Sequence, residues 1–253
     1  MKTSVVLPVA GCLFLTSSLF ADIVVPGADG TDGALAITEN TVIDLGASGS
    51  YDPDEWAVVF RYTSVNIAAG ATLGFTNHPR KAPVIWLVSG DVTINGTVNL
   101  GGAPGGAPPS LAEPGPGGFA GGMGQLNGTT KVSAGYGPGG GPLGYVSFAY
   151  HGVGGSYGTL GQAVNGVASR DPYGNASLVP LIGGSGGGGL GGGDNRIGGG
   201  GGGGAILIAA TGTVTIEGSL RAIGGGSGNS AGGGSGGGIR IVANTIDGDG
   251  TVS

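Results

Sequence analysis

Residues Val84–Gly102 read VIWLVSGDVTINGTVNLGG, and residues Ile206–Gly224 read ILIAATGTVTIEGSLRAIG. The second lies on the first without a gap. Val84, Trp86, Val88, Val92, Ile94, Val98 and Leu100 meet Ile206, Ile208, Ala210, Val214, Ile216, Leu220 and Ala222, while Gly90 meets Gly212 and Gly96 meets Gly218. Each copy holds three short arms in which apolar and polar residues alternate. That is the period of strands with one buried face, and Gly and Asn between the arms supply the turns. A divergent copy precedes these two, with Val58, Phe60 and Tyr62, then Val65 and Ile67, then Leu73 and Phe75 on the same arms. A fourth begins at Ile239, Ile241 and Ala243, runs through Ile246 to Val252 and breaks off at Ser253, so the C-terminus reads as truncated.

Whole repeats that match in register predict an all-β chain wound as a right-handed parallel β-helix of about four coils, with strands of successive coils about 4.8 Å apart. One coil cannot bury its own inner face, so about three are needed for stability. Each inward Ile, Val or Leu then contributes about 1.5–3 kcal/mol on full burial. A β-sandwich or a stack of hairpins is the alternative, because short alternating strands fit those too. Helix is excluded by the lack of any sustained 3.6-residue apolar period and by the cost of glycine, about 1 kcal/mol per helical position. Ile85, Leu87, Leu207 and Ala209 fall on the outward side of the first arm, so that face should be covered, by the glycine-rich segment or by another molecule.

Glycine supplies 64 of 253 residues, and charged residues are only 9%; average chains hold roughly 7% glycine and 25% charge. The segment 101–204 carries roughly forty of those glycines and separates the two clean copies. It leaves after Leu100 and returns at Ala205; a shorter excursion, 224–238, leaves after the equivalent Ala222-Ile223. Both therefore hang from one corner, as loops do on one face of a solenoid. Ordering such a segment costs about 1–2 kcal/mol of backbone entropy per residue. Two outcomes are open: a mobile Gly-rich linker, or close packing of the runs Gly186–Gly189 and Gly198–Gly204 as polyproline II-like strands.

The start of the chain has the form of an export signal at 1–21: Lys2, an apolar run from Val5 to Phe20, and Ala21 before the first polar residue, Asp22. Val9-Ala10-Gly11-Cys12 also has the form of a bacterial lipobox, which would anchor the chain through Cys12; the other reading makes Cys12 part of the discarded leader. Residues 22–55 form an N-terminal capping segment, and 56–253 the repeat domain, interrupted by 101–204. After the leader no apolar run approaches 18 residues, so no further membrane span is expected. Cys12 is the one cysteine, so cleavage leaves no disulfide, and it removes Lys2 from nine basic residues set against fifteen acidic ones. That balance excludes a nucleic-acid partner, which would need clustered Lys and Arg.

Little in the sequence points to catalysis or to a cofactor. His78 and His151 stand far apart, and no paired-His metal motif is present. Asp29 and Asp32 lack the other acidic ligands of a calcium loop and read as turn residues. GxGxxG patterns are uninformative in so glycine-rich a chain. The outward slots hold Asp91, Thr93, Asn95, Thr97 and Asn99 on one copy and Thr213, Thr215, Glu217, Ser219 and Arg221 on the next. They offer a single carboxylate per coil and a two-rung Thr93–Thr215 ladder of the kind also found on ice-binding β-helices. Tyr136, Tyr145, Phe148, Tyr150, His151, Tyr157 and Tyr173 concentrate aromatic rings inside the glycine segment. Tyr136, Tyr145, Tyr150, His151 and Tyr157 are candidates for a glycan- or surface-binding patch, since tyrosine has an apolar face and a polar tip. The competing reading makes these rings anchors that pin the segment to the scaffold.

YTSVNIAAGATLGF (Tyr62–Phe75), VSGDVTINGTVNLGGAPGG (Val88–Gly106) and GGGSGGGIRIVANTI (Gly232–Ile246) resemble exported bacterial glycine-rich surface proteins. Members of that group pair β-helix-like coils with long glycine loops, and many carry PEP-CTERM-type anchors. The resemblance covers about residues 56–253. It implies a non-enzymatic structural or adhesive role at the cell surface or in the extracellular matrix, with polysaccharide or other surface proteins as partners. It brings no catalytic residues. The alternative is a polysaccharide lyase or hydrolase on the same scaffold.

Overall fold

The computed structural model describes residues 22–126, 129, 131–146, 149–164, 166–192, 196–228 and 230–253. Residues 1–21, where the export signal and Cys12 are expected, and Phe148 lie outside them. The described chain is all-β, without helix. In chain order the strands are β1 (Ala34–Ile37), β2 (Thr41–Asp44) and β3 (Ser50–Asp52); β4 (Ala57–Tyr62), β5 (Ser64–Ile67) and β6 (Thr72–Thr76); β7 (Val84–Val88), β8 (Val92–Ile94) and β9 (Thr97–Asn99). A hairpin follows, β10 (Leu143–Val146) and β11 (Ala149–Gly152), and then β12 (Ala205–Ala210), β13 (Thr213–Ile216), β14 (Ser219–Arg221), β15 (Gly238–Val242), β16 (Thr245–Asp247) and β17 (Thr251–Val252).

Each repeat gives one strand to each of three five-stranded sheets. Sheet I runs β3-β4-β7-β12-β15, sheet II β1-β5-β8-β13-β16, and sheet III β2-β6-β9-β14-β17. All pairings in them are parallel except β3 with β4. The register coincides with the alignment of the repeats: Ile206 pairs with Val84, Ile208 with Trp86, Val214 with Val92, and Leu220 with Val98. The divergent first copy is in register as well, with Phe60 on Trp86 and Leu73 on Val98.

The alternation decides what is buried. Val58, Val84 and Ile206 form one fully enclosed column, and Val65, Val92 and Val214 line a neighbouring sheet. Tyr62 meets Trp86 edge-on inside the stack, with ring centroids 6.2 Å apart. Residues 34–52 underlie the first copy: β1 and β2 add parallel strands, and β3 turns antiparallel to border sheet I.

The outward apolar face of sheet I is covered by two segments of this same chain. Leu178–Leu181, from the glycine segment, shares the walls of a pocket of about 310 Å³ with Ile85 and Leu207, which stay half-buried. On the other side residues 23–32 cross the sheet. The Ile23 N–H donates to Asn244 Oδ1 (2.5 Å), Gly27 packs on Leu87, and the Arg61 N–H donates to Asp32 Oδ2 (2.6 Å).

Candidate functional site

The glycine segment is ordered, and its hydrogen bonds repeat every three residues. The N–H groups of Gly198, Gly201 and Gly204 donate to the carbonyls of Gly106, Ala103 and Leu100 (2.8, 2.9 and 2.8 Å). Those of Gly199, Gly202 and Ala205 donate to Gly122, Phe119 and Pro116 (2.8, 2.8 and 2.6 Å). Those of Gly200 and Gly203 donate to Gly232 and Ser235 (both 2.9 Å). One strand thus bonds to three neighbours in three directions, as a chain with the three-residue turn of polyproline II can and a two-residue β-pleat cannot. The run 183–191 behaves likewise: Gly184, Gly187 and Leu190 donate to Gly203, Gly200 and Ile197. Only glycine fits. A Cβ on Gly202 would collide with the Gly184 carbonyl, and one on Gly187 with that of Gly232.

The bundle grows out of the corner between sheets III and I. Strand 100–106 continues β9, 198–204 leads into β12, and the chain after β14 and before β15 supplies two further members. In the first copy the same corner is the short link 77–83.

On this support the aromatic candidates divide. Tyr145 and Tyr150 face each other across the β10–β11 hairpin, with ring centroids 4.9 Å apart and planes tilted by 56°. Tyr145 is 61% exposed. The hairpin is tied to the bundle at Tyr150, which exchanges both backbone bonds with Gly191 (2.6 and 3.0 Å). His151 follows on the same strand, half-buried, with Nδ1 enclosed and unbonded among the described residues. Tyr136 is exposed on a separate bundle strand, its N–H on Ala120 and its carbonyl taking the Gly186 N–H.

Tyr157 is not at the surface. It is buried edge-on to Tyr173 (5.1 Å), and its hydroxyl donates to the Ile182 carbonyl (2.9 Å). Tyr173 donates to the Gly183 carbonyl (2.6 Å) and accepts from Ser185 Oγ (3.0 Å). Burial pushes both phenols up, that of Tyr173 to about 12. These two rings are anchors, because a hydroxyl that bonds a glycine-run carbonyl fixes the run where no side chain could.

The scattered acids serve turns. Asp29 Oδ1 accepts from the N–H and hydroxyl of Thr31 (3.1 and 2.9 Å), which lowers its pKa. Asp91 Oδ1 accepts the Thr213 N–H (2.8 Å), linking two repeats. Glu217 and Arg221 are exposed on separate arms. Among the described residues no three of His, Cys, Asp and Glu gather as a metal site would require. His78 stacks on Tyr51 at 4.6 Å, far from such a role.

Two features are absent from the sequence reading. On sheet III the outward Thr72, Thr97, Ser219 and Thr251 form a four-rung hydroxyl column, the last two 2.8 Å apart. It was readable from the repeat alignment, which the Thr93–Thr215 pair overshadowed. The other is a cleft of about 640 Å³ where sheet III meets the bundle, with Phe75, Asn99 and Glu113 in its walls. Glu113 comes from inside the glycine segment, where no periodicity marks it.

Comparison with family models, curated proteins and solved structures returned no match. The reading of this molecule therefore rests on its own geometry. No helix among the described residues is long and apolar enough to cross a membrane.

Proposed function

We propose that the chain is an extracellular or cell-surface structural and adhesive protein, exported by its first 21 residues and wound as a right-handed parallel β-helix. In support of the winding, the strands from β4 onward, the β10–β11 hairpin apart, visit sheets I, II and III in rotation, and each pairs in parallel with its equivalent in the next repeat. The glycine bundle is the rigid outgrowth of that scaffold, and polysaccharide or another surface protein is its partner.

One observation carries the adhesive role: the Tyr145–Tyr150 ring pair, exposed at Tyr145 and half-buried at Tyr150, on a hairpin hydrogen-bonded into the bundle. Two rings held in fixed relation offer apolar faces for stacking and hydroxyls for polar contact, with little conformational entropy left to lose. The test is binding of the purified protein to arrayed glycans and purified surface polysaccharides. Retention of the wild type, with loss in Tyr145→Ala and Tyr150→Ala, supports the reading. Equal retention by both variants removes the ring pair from it, and no retention of the wild type overturns adhesion.

A further inference from the structure

The cleft beside sheet III has the size and wall chemistry of a small-ligand site, which ordinarily spans about 300–1,000 Å³. Phe75 offers a ring, and Pro104 and Pro114 give apolar walls. Thr76, Asn99 and Glu113 bring polar groups to the same space.

These walls are fixed before any ligand arrives. The Gly102 N–H donates to the Ile223 carbonyl (2.9 Å), that of Ala103 to the Glu113 carbonyl (2.7 Å), and that of Gly201 to the Ala103 carbonyl (2.9 Å). One wall is therefore a pair of bundle strands, and Asn99, the last residue of β9, lines the cleft where the sheet runs into them. A site preorganised in this way spends little affinity on ordering itself.

The polar groups are neutral in sum and mixed in kind. Glu113 Oε1 is held by the Lys81 ammonium and by the Asn77 amide (2.8 Å for the latter), so its charge is already matched. Burial favours the uncharged carboxyl, but these two donors outweigh it and hold Glu113 below the usual range. Oε2 takes no hydrogen bond among the described residues and remains an acceptor. Asn99 Oδ1 accepts the Gly101 N–H (3.0 Å), which leaves the amide nitrogen as a donor. Thr76 donates to Asp44 Oδ1 (2.9 Å) and keeps lone pairs free.

We propose that this cleft is a binding subsite for a neutral glycan, taking one or two sugar units between Phe75 and the Asn99–Glu113 edge. Sugar hydroxyls both donate and accept, as this rim does, and the C–H face of a pyranose packs on an aromatic or proline wall. Acidic sugars are disfavoured by Asp44 beside Thr76, whose carboxylate is held by the Gly46 N–H and the Thr76 hydroxyl and by no cation among the described residues. The inference deepens the adhesive reading and rests on it, but it assigns the contact to a place that the tyrosine hairpin does not reach in sequence.

The experiment is calorimetric titration of the whole chain with neutral gluco-, galacto- and manno-configured tetrasaccharides and with a tetrauronide. At least one neutral probe is expected to bind. Asn99→Ala should weaken it about tenfold, the loss of one hydrogen-bonding group. Leu160→Ala, an exposed position outside both the hairpin ring pair and the cleft, should leave it within about twofold. Thr76→Trp, a bulky substitution at an exposed position in the cleft wall, gives the same readout if Asn99→Ala disturbs folding, and thermal unfolding of each variant shows whether it does. No binding of any neutral probe, or tighter binding of the tetrauronide, overturns the proposal. Loss in Tyr145→Ala with full binding in Asn99→Ala overturns the cleft while leaving adhesion through the hairpin standing.

Discussion

The repeat stack and the glycine bundle are two solutions to one problem, how to bury a backbone. In the stack, side chains do it: Ile206, Ile208, Trp86 and Val84 are fully enclosed, and every second residue of a strand faces inward. In the glycine runs 186–189 and 198–204 there are no side chains to bury. Backbones approach until a Cβ has no room, and N–H groups point three ways instead of two. Each such bond contributes only about 0.5–1.5 kcal/mol net, against an ordering cost of about 1–2 kcal/mol per residue. Close packing must supply the difference. The bundle is therefore expected to lean on the stack, which fixes four of its members at the corner between sheets III and I.

Cutting the inner column is the most direct way to break that dependence. Ile208→Ala should cost about 2–5 kcal/mol in denaturant unfolding, and amide protection at Gly200–Gly204 should fall with it. A bundle that keeps its protection while the stack is weakened would show the two to be independent.

Next in size is the bundle's own packing. Gly202→Ala drives a methyl into the Gly184 carbonyl and should cost about 1–3 kcal/mol. Gly226→Ala, with nothing within 4 Å of the added carbon, should stay within about 0.5 kcal/mol. Equal effects at the two positions would deny that close backbone approach is what selects glycine.

Removing an anchor should matter about as much. Tyr173→Phe leaves the Gly183 carbonyl without its donor and should cost about 1–3 kcal/mol. The folded phenol titrates at about 12, above its ordinary value near 10. Its stabilising contribution is thus full below pH ~10 and is lost as pH rises toward and through about 12. Ultraviolet titration of tyrosinate should show Tyr157 and Tyr173 ionising above the ordinary range of a phenol.

The smallest effect belongs to the surface ion pair. Lys81→Ala should cost less than about 1 kcal/mol and respond to salt, since both side chains are largely in solvent. The folded Glu113 carboxyl lies below its unfolded value, so the pair contributes above the unfolded pKa and fades as pH falls through the folded one.

Strand positions and their register were legible because alternation has a period of two and the repeats carry it in step. A slip of one residue would have turned Trp86 and Ile208 outward. The tyrosines were legible only as a composition. Nothing near Tyr145 or Tyr157 tells one from the other, since their fates depend on whether a hairpin or a glycine run stands beside them. The cleft was illegible for the same reason: Phe75, Asn99 and Glu113 belong to three separate stretches of chain.

By itself, then, the sequence determined three parallel sheets, their inward columns, and the corner from which the glycine leaves. Those follow from local pattern and from repetition of that pattern. Tertiary structure alone decided that the glycine runs would pack rather than move, which tyrosines would be anchors, and what would cover Ile85 and Leu207. A glycine carries no side-chain pattern from which its neighbours could be read. Its partners are chosen by backbone bonds between segments as distant as Ala103 and Gly201, and such choices exist only once the stack has set where each segment begins.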